Sequence, residues 1–514
     1  MFLINRNIVS FCILLLPGFA VAQQDSTVQP HSEASQLHFN RYAKDPLLQP
    51  LLKLRNYGSV QLGFRAEDGE YRQAQAPQKQ RDIFFYTEGS RQIKKFLVSG
   101  SFGWYNTQID SQAYALRNDY KDPNPYYFYA AKPGNWQTIR YKLQGIVSVP
   151  VLDKITLGAG ARYNSANHWR SNDPRPEEFA YDLQAHALAH YKLFPNHVIG
   201  ITGSHIRKNS DISWEYRNDA NAIKPETKVY IGNGYGNVEP RTGISKGSLS
   251  SATTGYTAEG MYEGKFHFGI LTFKGKYENS STEIFDKPSQ QDQIRLNYGK
   301  YNQDSYSASL SWNKTTGTDQ FNIMLGYMDE LGKDHNETLA GTNYIHALEL
   351  VQLNTLWSKL NDNRKMKYEL GLSLQLQDQV KMDGAVGQKT EYQTGEAAVT
   401  GAYYFYFTEN NSMLKTLLRA AYNHPFYAGA KAVTQLFSFT EAVVYRDYYY
   451  FNASTASIGA QLTYQFPVMK KNAFVQLSGN YTNAKIPGPK DGLIPYTYPG
   501  NNRMQWQCSI GVNL

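Results

Sequence analysis

Along most of this chain apolar and polar residues alternate with a period of two, and each alternating segment persists for about ten residues or more. From Ile139 the odd positions read Ile139, Tyr141, Leu143, Gly145, Val147 and Val149, against Thr138, Arg140, Lys142, Gln144 and Ser148. Ile155, Leu157, Ala159, Ala161 and Tyr163 stand against Thr156, Gly158, Gly160, Arg162 and Asn164. Tyr181, Leu183, Ala185, Ala187, Ala189 and Tyr191 stand against Asp182, Gln184, His186, His190 and Lys192, and Met366 to Leu376 repeats the pattern. Successive side chains of a strand point to opposite faces, so each segment has one greasy and one wet side. Globular strands usually run ~5–6 residues, whereas a tilted strand needs ~9–11 to cross a bilayer. The length of the alternation selects the membrane.

The connections give a second argument. Short joins at Pro150–Lys154, Phe194–His197, Asn361–Arg364, Thr408–Ser412 and Pro467–Asn472 alternate with long polar stretches. Those stretches are Ile109–Asn135, Ser165–Glu178, Lys208–Ser251, Asp329–Asn343 and Ile486–Asn502. A barrel with short periplasmic turns and long outer loops has this asymmetry. The last alternating segment, Met504 to Leu514, runs to the final residue; a terminal aromatic is the commoner ending, and Leu514 departs from it. The expected fold is all-β: a single transmembrane antiparallel up-and-down β-barrel of about 18 strands, with 16 as the alternative count. Two stretches leave the count open, Gln290–Tyr301 and His424–Ala453. The first strand is expected over Ser59–Ala66 with Val60, Leu62, Phe64 and Ala66 outward.

Composition agrees with a wet-lumen barrel. Mean hydropathy is -0.54, yet the chain carries 40 Tyr, 25 Phe and 7 Trp, as polar lumen faces and interfacial aromatic girdles require. Residues 1–22 read as a signal peptide, with Arg6, the apolar run Ile8–Phe19 and the cleavage pattern Ala20-Val21-Ala22. Cys12 lies inside that run, so no lipoprotein anchor is expected. Residues 23–56 form a polar lead-in, periplasmic or tucked into the lumen, and 57–514 the barrel. The lead-in is too short for the folded plug of a TonB-dependent transporter. Beyond the signal only Cys508 remains, which excludes an intrachain disulfide and a multi-cysteine metal or redox site. The net charge of +8 without a basic run or recognition helix excludes a nucleic-acid partner and suits anionic lipid headgroups.

The stretch from Asn56-Tyr57-Gly58 through Thr87-Glu88-Gly89 to Ser99-Gly100-Ser101-Phe102 resembles an uncharacterised, domain-of-unknown-function family of outer-membrane β-barrels of Gram-negative bacteria. Members are often met near TonB-dependent uptake systems, so the resemblance implies an accessory role in nutrient or metal acquisition. It implies no functional residue, because the family has no established activity.

Several residues carry chemistry of their own. Arg140, Lys142, Arg162 and Lys192 fall on polar strand faces and are expected to give the lumen a basic patch favouring anions. Acidic residues on other polar faces, Asp182, Glu259 and Glu369, offer charge pairing as the simpler role. His186 and His205 are weak metal-ligand candidates, beside Asp-rich loops whose oxygens could hold calcium or bridge to lipopolysaccharide. They meet only if the register sets one opposite the other, and a one-residue slip places His205 on the lipid side; no metal and no cofactor is expected. Asn-, Asp- and Pro-rich loops, such as Asp122-Pro123-Asn124, are read as turn chemistry. Tyr448, Tyr449, Tyr450 and Phe451 offer an aromatic surface for a ligand or partner in an outer loop. H-E-x-x-H and P-loop patterns are absent, GMYEGK (Gly260–Lys265) being one residue short of the latter, and the one G-x-S-x-G string, Gly243–Gly247, lies inside the long polar stretch Lys208–Ser251 rather than between a strand and a helix. Only Asn167-His168 with Ser171 hints at a lipid hydrolase, and the chain is read as not an enzyme.

The functional expectation is a channel or accessory component in solute uptake across the outer membrane. The alternative is a non-conducting barrel that scaffolds a TonB-dependent transporter or surface lipoprotein through its loops. Outer-membrane lipid and lipopolysaccharide are the expected surroundings.

Overall fold

The computed structural model describes residues 32–241, 245–286, 296–407, 411–431, 439–469 and 471–514. Residues 1–22, expected to be a signal peptide, and residues 23–31 of the lead-in lie outside them. Eighteen antiparallel strands form one sheet that closes on itself. Its first strand, Tyr57–Gly69, pairs with the second, Lys79–Ile93, and with the last, Asn502–Asn513. Closure gives every backbone N–H and C=O a neighbour, which is what hydrocarbon demands of a spanning sheet. Barrel strands run from 12 residues in the last to 21 in Lys246–Phe266, beyond the crossing minimum and far beyond globular strands. Of the two uncertain stretches, one holds the start of strand Asn297–Thr316. The other holds the end of strand Ser412–Lys431 and a helix, Tyr445–Phe451.

The greasy faces point away from the barrel. Leu62, Leu143, Leu183, Ile199, Phe273, Leu310, Leu325, Leu374, Val399, Leu418, Ile458, Leu477 and Ile510 are exposed, and they recur on strand after strand around the cylinder. A water-soluble protein rarely shows a contiguous apolar patch of more than a few hundred Å2; here it is a continuous belt. No helix among the described residues is long and apolar enough to cross a membrane, and the strands do the crossing. A closed barrel with such a belt resides in the outer membrane.

Both chain ends of the barrel and the hairpin turns at Lys94–Lys95, Val151–Lys154, Pro195–Asn196, His267–Phe268 and Gly317–Thr318 lie at one end, the periplasmic one by turn length. The opposite end carries the longer loops. Gly58, Gly89, Gly100 and Gly145 occupy one cross-strand row of four neighbouring strands. A side chain at Gly89 would strike the Tyr57 carbonyl at 2.7 Å, and one at Gly100 the Gln144 carbonyl at 2.8 Å. Of the glycines that mark the resemblance, Gly89 and Gly100 are therefore places where strands approach too closely for a Cβ.

Candidate functional site: a chamber between two closures

The lead-in enters the barrel from the periplasmic end and stays there. Ser32 caps helix α1 (Glu33–Ala43), its hydroxyl accepting the Ser35 N–H at 3.1 Å. The first turn of α1 rests on the wall: Glu33 and Ala34 each donate a backbone N–H to the Glu369 carboxylate, both at 2.9 Å. Glu369 is buried and also accepts from the Ser358 and Tyr404 hydroxyls. A carboxylate at a helix N-terminus meets unpaired donors and the positive end of the dipole at once. The fully buried Lys415 pairs with Glu33 beside it. Tyr42 donates to Glu263 at 2.9 Å, and Lys274 bridges Asp45 of the lead-in to Glu259 of the wall. Thus the acidic residues Glu259 and Glu369, read as partners for lumenal cations, serve mainly to hold the lead-in.

Downstream, Gln49 donates to the Leu97 carbonyl at 3.0 Å and accepts from Ser148 at 2.6 Å. His190 meets the Leu47 carbonyl at 2.6 Å. Its cross-strand partner is Gly200, where a Cβ would stand 2.7 Å from the ring, so glycine leaves the room that this contact needs. Phe39, Tyr42, Leu47, Leu48, Leu52 and Leu54 bury themselves with Leu97 and Met261. A segment read as polar overall thus hides a short apolar core. In α1, burial first and then the charges of Lys53 and Arg41 lower the His38 imidazole to about 4.

The outer end is closed by loops. Tyr126–Tyr129 pairs with Tyr230–Asn233, which pairs in turn with Val238–Pro240, giving a three-stranded sheet across the mouth. Helix α2 (Tyr445–Phe451) packs with it. Tyr129 stacks on Tyr230 with centroids 5.0 Å apart, Phe128 meets Trp214 edge-on at 5.9 Å, and Tyr126 donates to Asp334 at 2.9 Å. In α2 burial pushes the Asp447 carboxyl up to about 6, against the Ala74 N–H that it accepts at 2.8 Å and the nearby Lys381 and Arg446 charges.

This corrects the expectation for Tyr448, Tyr449, Tyr450 and Phe451. They do not form an open aromatic surface: Tyr448 and Tyr449 are buried, Tyr450 stacks on Tyr71 and Phe451 on Tyr392. Residues of a helix point in directions about 100° apart, so four consecutive aromatics face every side, and each finds packing partners.

Beneath the outer closure lies a chamber of about 820 Å3, lined by the outer half of the wall and by outer-loop residues, with the lead-in further toward the periplasm. Arg140 and Lys142 of strand Gly134–Pro150 line it, with Arg65, Lys208 and Asp182. The register sets Lys142 opposite Asn164, Asn164 opposite Asp182, and Asp182 opposite Lys208, a polar row around the wall. Arg162 lies two residues from Asn164 on the same inward face, opposite Gln144. Arg140 donates to the Asn118 side chain at 2.9 Å, tying the wall to the outer loop. Lys142 lies over the Tyr105 ring at 5.6 Å, and the charged groups acting on it are Arg140, Arg65 and Arg162, all cations. Lys192 is separate: its backbone N–H bonds the Lys154 carbonyl at the periplasmic turn, and it is exposed there. Arg65, on the inward face of the first strand, and Lys208 were not singled out from sequence, although the outward assignment of Phe64 already implied the place of Arg65.

The register also decides the histidines. His186 stands opposite Ser204, and His205 opposite Ala185, so the two rings lie on opposite faces of the sheet. They are not brought together. No group of three or more His, Cys, Asp or Glu able to hold a metal occurs among the described residues. The hydrolase fragment is not assembled either. His168 is buried, stacked on Trp136 at 4.2 Å and bonded to Thr138 at 2.6 Å.

Among solved structures the chain is similar to the siderophore receptor PiuA from Acinetobacter baumannii, at 8% identity, 90% of this chain, 82% of that chain and a TM-score of 0.40. It is similar to the outer membrane transporter YddB from Escherichia coli at 8% identity, 90% and 81% coverage and a TM-score of 0.40. With Pseudomonas aeruginosa OccK9 the identity is 12%, the coverage 89% and 98%, and the TM-score 0.33. No curated protein matches the sequence. Residues 46–514 match a family of unknown function, DUF6850, and the chain belongs to that family.

Proposed function

We propose that this barrel serves uptake: a small polar solute enters from outside, is held in the chamber, and leaves to the periplasm when the lead-in gives way. The observation that carries this reading is the chamber itself, a large polar space lying between two separately built closures. An open pore has no use for a gate, and a purely structural barrel could fill its lumen with side chains. Eighteen strands enclose more cross-section than side chains need, and here the surplus lies in the outer half of the lumen, beneath the loops.

The inner closure suits a gate better than the outer one. It is one continuous segment joined to the barrel at a single point, Tyr57, and its contacts are a few discrete ion pairs and hydrogen bonds around a small apolar core. The outer closure draws on many loops and a larger core, and its opening involves more elements.

A second reading is a non-conducting barrel that supports a transporter or a surface lipoprotein through its outer loops. The solid aromatic cap favours it. Planar-bilayer and liposome-flux measurements on the full mature chain and on the Glu369→Ala variant separate the two. Uptake predicts brief openings or slow flux in the natural chain and more frequent ones in the variant. Silence in both supports the scaffold reading.

A further inference from the structure

We propose that the chamber is a binding site for a small multivalent oxyanion on a hydroxyl-rich scaffold, such as a carboxylated, phosphorylated or sulfated sugar, held by Arg140 and Lys142 of its lining together with Arg162, which lies just outside that lining on the same inward face. The proposal deepens the uptake reading by naming the ligand class of the same chamber.

Charge is the first support. Among the described residues none of the three cations has a carboxylate within ion-pair distance. The other charges felt at Lys142 are Arg65, Arg140 and Arg162, which repel it. Of these, Arg65 is paired with Asp82. The rest form an uncompensated group inside a barrel, where field lines are confined by the low-dielectric wall and the bilayer beyond it. Elsewhere the same lumen pairs its charges, Lys274 with Glu259 and Asp45 and Arg419 with Glu396, and within the chamber lining Arg503 pairs with Glu67. The lack of a carboxylate partner is therefore particular to this group of cations and not general to the lumen.

The acidic groups of the lining are turned to other partners and none is placed against the three cations. Glu178 accepts from the Ser210 hydroxyl and the Asn118 N–H, Asp122 accepts the Asn124 N–H at 2.9 Å, and Asp119 the Lys121 N–H at 3.0 Å. Asp182 has Lys208 as its direct cross-strand neighbour, while Asn164 separates it from Lys142. That spacing is two strand separations, ~10 Å.

Size and remaining lining give the second support. A cavity of about 820 Å3 falls at the upper part of the ~300–1,000 Å3 range of small-molecule sites. Asn164, Ser210, Thr253 and Thr282 present amides and hydroxyls to it, and Tyr120 and Tyr127 of the outer loop supply ring faces. Guanidinium groups recognise carboxylate, phosphate and sulfate through paired N–H donors, and the neutral polar groups would serve the hydroxyls of the scaffold.

The test is calorimetric titration of the full mature protein in detergent with citrate, inorganic phosphate and the neutral maltotriose. The proposal expects citrate to bind, more weakly as salt rises, phosphate to compete with it, and maltotriose to bind far less. Arg162→Gln and Lys142→Gln should each weaken citrate about tenfold or more, Lys142→Arg should restore it, and Lys192→Gln should leave it unchanged. Heat-modifiable gel migration reports folding of each variant; if Lys142→Gln does not fold, Arg162→Gln and the salt dependence decide. Absence of citrate binding, equal binding of maltotriose, or indifference to Arg162→Gln overturns the proposal. Binding without any transmembrane flux would remove the uptake reading and leave this site standing. Flux that treats citrate and maltotriose alike would remove the site and leave uptake.

Discussion

Replacing Glu369 by alanine should loosen the inner closure while leaving the barrel intact. The carboxylate accepts two backbone N–H groups from the first turn of α1, each at 2.9 Å, and is 1% exposed. A hydrogen bond to a charged partner contributes about 1.5–3 kcal/mol, so two give about 3–6 kcal/mol before their mutual dependence is discounted. The charge–dipole attraction at the helix end adds about 0.3–2 kcal/mol. Some loss falls on the wall itself, because Ser358 and Tyr404 also lose their acceptor. A docking penalty of about 3–4 kcal/mol remains a fair central value, and it multiplies the undocked population by about two to three powers of ten. Hydrogen exchange followed by mass spectrometry reads this directly on peptides covering Glu33–Leu52. Their protection should fall by that factor, while peptides from strand Asn297–Thr316 keep theirs. Glu369→Gln, which retains an acceptor and loses the charge, should fall between the two. Unchanged lead-in protection in a correctly folded Glu369→Ala barrel would refute the latch reasoning.

Three further outcomes follow from the same contacts. The two closures should respond to acid in opposite directions. The Asp447 carboxyl is raised from 3.8 to about 6, so its stabilisation of the cap is full below 3.8 and is lost as pH rises through about 6. The His38 imidazole is lowered from 6.5 to about 4, so its contribution to lead-in docking is full above 6.5 and is lost as pH falls through about 4. Exchange protection measured against pH should show both slopes, and Asp447→Asn and His38→Asn should each flatten one; parallel slopes would contradict the assignment. Tyr449→Ala removes a fully buried ring and the oxygen that accepts the Lys490 N–H at 2.7 Å. By analogy with core Phe→Ala changes it should cost the cap about 3–5 kcal/mol, seen as protease cleavage in the outer loops with the barrel still heat-modifiable. Leu374→Arg, on the lipid face, should cost about 2–4 kcal/mol in a reversible lipid-refolding assay, whereas Gln375→Arg, one residue along and facing the lumen, should cost far less.

How far the sequence discloses this molecule depends on the range of the interactions. Alternation is local, so the strands, their outward faces and the ends at which turns fall could be read from Ile139–Val149 or Tyr181–Tyr191 alone. Turn length fixes parity and so an even count, which left 18 with 16 as the alternative until the pairing placed Gln290–Tyr301 and His424–Ala453. Inward placement of Arg140, Lys142 and Arg162 was legible for the same reason, whereas the different position of Lys192 depended on where its strand meets the turn. His186 and His205 were not decidable, since a one-residue change of register moves a side chain through the sheet and only the paired strands fix it. The closures were hidden for a different reason. Glu33 with Lys415 and Glu369, or Asp45 with Lys274, are partners separated by hundreds of residues, and nothing near any of them marks the other. Tyr448 to Phe451 misled because an aromatic run in an outer loop looks exposed until the loop turns back as a helix into the mouth.

The account rests on the sheet closing between its first and last strands, and the natural Cys508 offers a direct measure. Phe64 stands opposite Cys508 across that seam, and Cys508 is a free, exposed thiol. Cross-strand partners lie ~4.5–5.5 Å apart, within the range a disulfide bridges. Oxidised Phe64→Cys protein should therefore be a covalent ring under denaturing, non-reducing conditions, with faster migration that reductant abolishes. Phe85→Cys, on the neighbouring strand and away from the seam, should not form it. A folded Phe64→Cys barrel that yields no ring, or a Phe85→Cys barrel that does, would contradict the closure.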